Sequence, residues 1–166
     1  MKKLFALIMS VMMLMTVFSV FTVSANTEQD NTIKGNIISE TTEYFSDGSS
    51  ATVIVTDESG VLTRATTYTK TGSKYYILRN KNGAELWRFT VHGTFSVNPG
   101  VSSTCTGVSH SISITEDAWQ NKSASTSRSG NQAIGDATFI KKLLFITTET
   151  KSCHVILTCD ANGKLS

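Results

Sequence analysis

The chain has 166 residues, with 15 Lys and Arg against 13 Asp and Glu, one proline and three cysteines. Lys2 and Lys3 carry the whole cationic excess, so residues 26–166 are balanced at 13 cations to 13 anions. A neutral stretch whose longest cationic run is Lys141-Lys142 has no general electrostatic pull on nucleic acid or anionic lipid, which disfavours nucleic-acid binding.

The first segment is read before any fold. Met1-Lys2-Lys3, an apolar run from Leu4 to Val23 and the small residues Ser24-Ala25 form the pattern of a secretory signal peptide, with cleavage expected after Ala25. The run is almost long enough to span a bilayer. Ser10, Thr16, Ser19 and Thr22 dilute it, and it ends in a cleavage pattern, which argues against a retained anchor. No stable membrane insertion is therefore expected once residues 1–25 are removed, and the protein is expected to be secreted and extracellular, from a bacterium. Residues 26–40 are polar without alternation and read as a flexible lead-in. Residues 41–166 are expected to form a single β domain.

Strand signals dominate from there. ATVIVTDESG is a β-branched run closing on the turn cluster Asp57-Glu58-Ser59-Gly60. Val61 to Gly100 offers three strand candidates, divided at Lys70-Thr71-Gly72-Ser73 and at Asn80-Lys81-Asn82-Gly83; Asn-Gly between extended segments is a strong hairpin signal. In the third candidate Trp87, Phe89, Val91, Gly93, Phe95 and Val97 share the face expected to be buried, while Gly93 marks a bulge or a close contact. In VSHSISIT, Val108, His110, Ile112 and Ile114 alternate with three serines. The remainder is read as short segments broken by turns at Gly130, Gly135 and Gly163. The expected fold is all-β, an antiparallel β-sandwich or small barrel of about eight or nine strands.

The cysteines are the most informative residues. Cys153 and Cys159 lie six apart across HVILT, which holds no turn residue. One strand would separate them by about 20 Å, whereas a bridge needs Cα atoms within about 7 Å. In an oxidising compartment Cys105 is therefore expected to pair with one of them. Cys159 is favoured because it and Cys105 both border loop-like sequence, and Cys153 is left free. Such a bridge would stabilise the fold by about 3–4 kcal/mol on chain-entropy grounds.

Catalysis and metal binding find little support. No C-x-x-C knuckle is present, and Cys153-His154 would point to opposite faces of a strand, so they cannot act as nucleophile and base. Asp160-x-Asn162-Gly163 starts like a calcium loop but is an ordinary turn by composition. No phosphate-binding glycine loop and no G-x-S-x-G elbow occurs, and serine is too abundant to single out a triad. No catalytic residue, metal or cofactor is expected. The aromatics Trp119, Tyr75 and Tyr76 are the candidate binding residues; Trp119 lies in the polar stretch TEDAWQNKS, where an exposed ring could meet a sugar or a partner protein.

The strand Trp87–Phe95, the segment Ser102–Thr106, the hairpin Ser129–Phe139 and the terminal Leu157–Gly163 resemble small secreted β-rich proteins of Gram-positive, gut-associated bacteria. The resemblance covers about the last eighty residues, implies Cys105 and Cys159 as recurring positions, and implies no activity. A weaker likeness is to the β-sandwich bacteriocins of the lactococcin 972 type. The resulting expectation is a secreted, non-enzymatic module that binds envelope glycan or protein. The alternatives are a bacteriocin-like antagonist and a secreted hydrolase.

Overall fold

The computed structural model describes residues 32–60 and 66–166. The expected signal peptide, residues 26–31 of the lead-in and most of the strand expected from Val61 lie outside these. The described chain is all-β: β1 Asn36–Tyr44, β2 Ser50–Asp57, β3 Tyr68–Arg79, β4 Glu85–Asn98, β5 Ser102–Ile114, β6 Trp119–Ser129, β7 Gln132–Leu143 and β8 Ile146–Thr158. Two antiparallel meanders result, a five-stranded sheet in the order β1-β2-β3-β4-β5 and a three-stranded sheet β6-β7-β8, consistent with a β-sandwich.

Alternation puts one face of each sheet inward. From β4 come Trp87, Phe89, Val91, Phe95 and Val97, all fully buried, and from the facing sheet Ala133, Ala137, Phe139, Val155 and Leu157. Trp87 stacks on Phe139 with ring centroids 3.9 Å apart and on Tyr76 at 5.8 Å, and Trp119 meets it edge-on at 6.2 Å. Small residues on β7 make room for these rings: a Cβ on Gly135 would lie 2.4 Å from Val91 Cγ2 and 3.0 Å from the Phe89 ring.

Three expectations about the elements are corrected, and one turn went unforeseen. Gly72 and Gly135 are not turns but mid-strand positions on β3 and β7. At Gly72 a Cβ would meet Leu165 at 2.3 Å and the Thr56 carbonyl at 2.5 Å, so close approach explains that glycine as well. The lead-in ends early: β1 starts at Asn36, so residues 36–40 are strand. A turn without any breaker joins β7 to β8. Leu143 pairs with Ile146, leaving Leu144 (φ 46°) and Phe145 (φ 71°) as a two-residue loop. Gly93 shows both features foreseen for it, a register shift at Thr94/Phe95 and a tight approach to Phe95 and Leu157.

The two sheets differ in width, and this positions the site. β4 crosses β7 and β3 crosses β8, the last strand of the smaller sheet. The outer part of the wide sheet therefore extends beyond β8. Every residue of β1 is exposed, and Val53 on the inward face of β2 is only half-buried.

Candidate functional site

The free edge of β8 faces this overhang. Thr158 exchanges both backbone hydrogen bonds with Ser166, at 2.9 and 3.0 Å, on the side away from β7. The β7–β8 register is regular from Thr158 to Glu149, so the backbone groups of Ile156, His154 and Ser152 point to the same open side. Ile156 C=O accepts a hydrogen bond from Lys74 Nζ (2.9 Å), where an incoming strand would place an N–H. Among the described residues, the edge groups of His154 and Ser152 have no backbone partner. Burial lowers the Lys74 ammonium below its usual range, as fits a cation held inside a trough.

Two clefts line this side of the sandwich. One, of about 400 Å³, is walled by Thr41, Val53, Lys74, Tyr76, Val155 and Ile156, with His154 at its rim. The other, of about 470 Å³, lies between Ile38, Ser39 and Asp57 on one side and Gly163–Ser166 on the other. The first is a trough with apolar walls, a buried-stem lysine and the hydrogen-bonding edge of β8; the second lies beside β1 against the C-terminal segment.

The expected aromatic anchors fare unequally. Trp119 is 2% exposed: as the first residue of β6 it turns into the core against Trp87, and its polar neighbours face solvent. Its ring packs in the core and only borders a small cleft, so it does not present the exposed ring expected of it. Tyr75 is also buried, on the outer face of the wide sheet beside Ile54 and Ile77, where its hydroxyl accepts the Lys34 N–H at 3.0 Å. Tyr76 alone lines the trough. The structure does not bring the three together.

The cysteine expectation is also corrected. No bridge joins Cys105 and Cys159; they and Cys153 are free, buried thiols. The backbones of Cys105 and Cys159 are held by one turn, their N–H groups donating to Gly130 O and Asn131 O. Their thiols, however, hydrogen-bond locally, Cys105 Sγ to Gly107 O and Cys159 Sγ to Asp160 O. Burial raises all three thiols above their usual range, Cys153 to about 12, so none is activated as a nucleophile. Asp160 shapes an Asx turn by accepting the N–H groups of Asn162 and Lys164, and those bonds hold its carboxyl below the usual range.

One polar constellation went unforeseen. On the outer face of the wide sheet Glu58 accepts a short hydrogen bond from Ser73 Oγ, Ser73 Oγ contacts His92 Nδ1 at 2.7 Å, and His92 Nε2 contacts Ser111 Oγ at 3.1 Å. With its hydroxyl proton directed to Glu58, Ser73 accepts from Nδ1–H, which leaves Nε2 to accept from Ser111. Burial lowers the His92 pKa; Lys34 and His110 reinforce this and Glu58 opposes it. A signal for it existed: counting outward from Asn82-Gly83 places Ser73 opposite His92. Ser111 lines neither the trough nor the small cleft beside Trp119.

Comparison with protein-family models, with curated proteins and with solved structures finds no match.

Proposed function

We propose that the protein is a secreted, non-enzymatic binding module of the cell envelope, and that it takes an extended segment of a partner protein onto the free edge of β8. The observation that carries this reading is the pairing of that open edge with an apolar-walled trough beside it. Strand addition draws affinity from main-chain hydrogen bonds and specificity from pockets under alternate side chains. Exposed edges are usually blunted by proline, bulges or charge; β8 has a regular register along this stretch and Lys74 as its one intruding cation. A partner N–H would displace Lys74 Nζ from Ile156 O, and an acidic side chain beside it would keep the released ammonium paired. An apolar residue would settle against Val53 and Tyr76.

The test uses His154→Pro. The His154 N–H faces the open edge, so proline there removes no backbone bond to β7, only the solvent-exposed contact of the imidazole Nδ1 with Asp136 Oδ1 (2.6 Å), yet blocks pairing. Labelled protein added to intact bacterial cells is expected to bind saturably without loss of viability, and the variant is expected not to bind while melting within a few degrees of the parent. Equal binding by the variant would refute edge capture. Binding accompanied by killing would favour the antagonist reading.

A second reading is favoured by one observation, the Ser111–His92 contact with Ser73 and Glu58 behind it. This is the order of a nucleophile, a base and its orienting groups. If it works as a hydrolase, Ser111 should be labelled by a fluorophosphonate and Ser111→Ala should not; absence of labelling would leave the network a structural one.

A further inference from the structure

The tip of the β7–β8 hairpin is the most apolar exposed surface among the described residues. Leu143, Leu144, Phe145 and Ile146 follow one another with 65%, 84%, 97% and 70% of their surface exposed. Single exposed apolar residues need no explanation, but a contiguous group marks an interaction surface. Its backbone singles it out again. All other positive-φ residues among those described are glycines; here Leu144 and Phe145 both occupy the left-handed region. A two-residue hairpin with both central residues at positive φ favours Asn-Gly, and bulky residues there are genuine outliers. The sequence accepts local strain in order to hold two large apolar side chains at the outermost point, and such outliers concentrate at functional positions.

We infer that this hairpin tip dips reversibly into the interfacial region of a phospholipid bilayer. The choice of a bilayer over a protein follows from the chemistry beside the tip: an apolar end flanked directly by two cations matches the acyl boundary and the headgroup phosphates above it. Lys141 and Lys142 immediately precede Leu143 on β7, at the shoulder of the hairpin. Lys141 reaches Glu116 at 3.5 Å with both groups more than a third exposed, a solvent-screened pair that leaves the ammonium free to shift. Long cationic side chains at that height snorkel to headgroup phosphates while apolar residues below enter the acyl boundary. Because residues 26–166 carry no net charge, the contact is local to the tip and not a general adsorption. It is distinct from strand capture: His154→Pro leaves the tip untouched.

The test reads the tip directly. Full-length protein carrying F145W is titrated with vesicles of phosphatidylcholine mixed with phosphatidylglycerol. Trp87 and Trp119 are buried, and the parent titrated in parallel subtracts their emission, including any change at Trp119 as Lys141, 5.9 Å from its ring, shifts. The expected result is a blue-shifted emission that lipids brominated on their acyl chains quench. The companion variant L144N/F145G installs the residues this turn prefers, so it folds. Its apparent vesicle affinity is expected to fall on the order of tenfold or more relative to the parent. Both proteins are full chains, so any lipid affinity of the apolar run Leu4–Val23 is common to them. Emission from F145W that ignores vesicles and brominated lipid would overturn the inference. So would L144N/F145G binding as tightly as the parent. Lipid-independent self-association lost in L144N/F145G, with F145W unquenched, would assign the tip to a second copy of the chain instead and likewise overturn it.

Discussion

At the scale of single residues, Trp119 shows how polar neighbours mislead. Glu116, Asp117, Gln120 and Asn121 suggest a loop, yet strand alternation sends only the ring inward. Trp119→Ala should therefore destabilise the fold by about 3–5 kcal/mol through the cavity it leaves, a large part of a typical domain's stability. Trp119→Phe should cost distinctly less, because the buried indole N–H has no hydrogen-bond partner to lose. Chemical denaturation of the two variants measures this; an unchanged midpoint for Trp119→Ala would contradict the burial. His92 sets a pH dependence. Its folded pKa lies below the ordinary value of about 6.5, because burial disfavours the charged ring. On acidification the unfolded chain binds the proton first, so stability present above about pH 6.5 is lost as pH falls through that value toward the folded pKa. Melting temperature should decline from pH 7.5 to 5.5, and His92→Gln should flatten the decline. Equal slopes in the two proteins would remove His92 as its source.

At the scale of elements, the sequence was most legible where both periodicity and residue type agreed. Trp87, Phe89, Val91, Phe95 and Val97 were expected on one buried face of β4 and are all fully buried. Asn82-Gly83 was expected as a hairpin and lies in the β3–β4 connection, with Gly83 at φ 81°. Glycine was legible only by chance, because it serves two ends. Where φ is positive it turns the chain; at Gly72 and Gly135 it admits a facing side chain, and only the partner sheet reveals which. Gly135→Val should destabilise by about 1–3 kcal/mol or more by overpacking against Val91 and Phe89, visible as a lower denaturation midpoint at unchanged slope. A neutral result would mean that β7 can move away from β4. The β7–β8 turn was illegible for the opposite reason. Leu144-Phe145 carries no turn chemistry, and at about 1–2 kcal/mol for each bulky residue in the left-handed region the pairing of β7 with β8 must hold it in place.

At the scale of the molecule, what was legible was the class: an all-β chain of short antiparallel strands in two sheets. The unequal widths of the sheets were not, because nothing in a meander's alternation tells how far it extends beyond its neighbour. That inequality creates the trough, and it moves the binding hypothesis from the aromatic anchors to a strand edge. Only Tyr76 of the expected site survives in it, through its half-buried ring. Val53, Lys74 and Ile156 carried no signal of their own, since their role depends on β3 lying over the last strand of the other sheet.

The most direct measurement is amide hydrogen exchange of the protein with and without extended peptides selected from a random displayed library. Capture on the β8 edge predicts that selected peptides slow exchange at Ser152, His154 and Ile156, the amides that face the open side, with the odd-numbered amides between them, already bonded to β7, little changed. It further predicts that His154→Pro abolishes peptide binding. Selected peptides that leave those three amides exchanging as before, or that bind His154→Pro unchanged, would contradict the account.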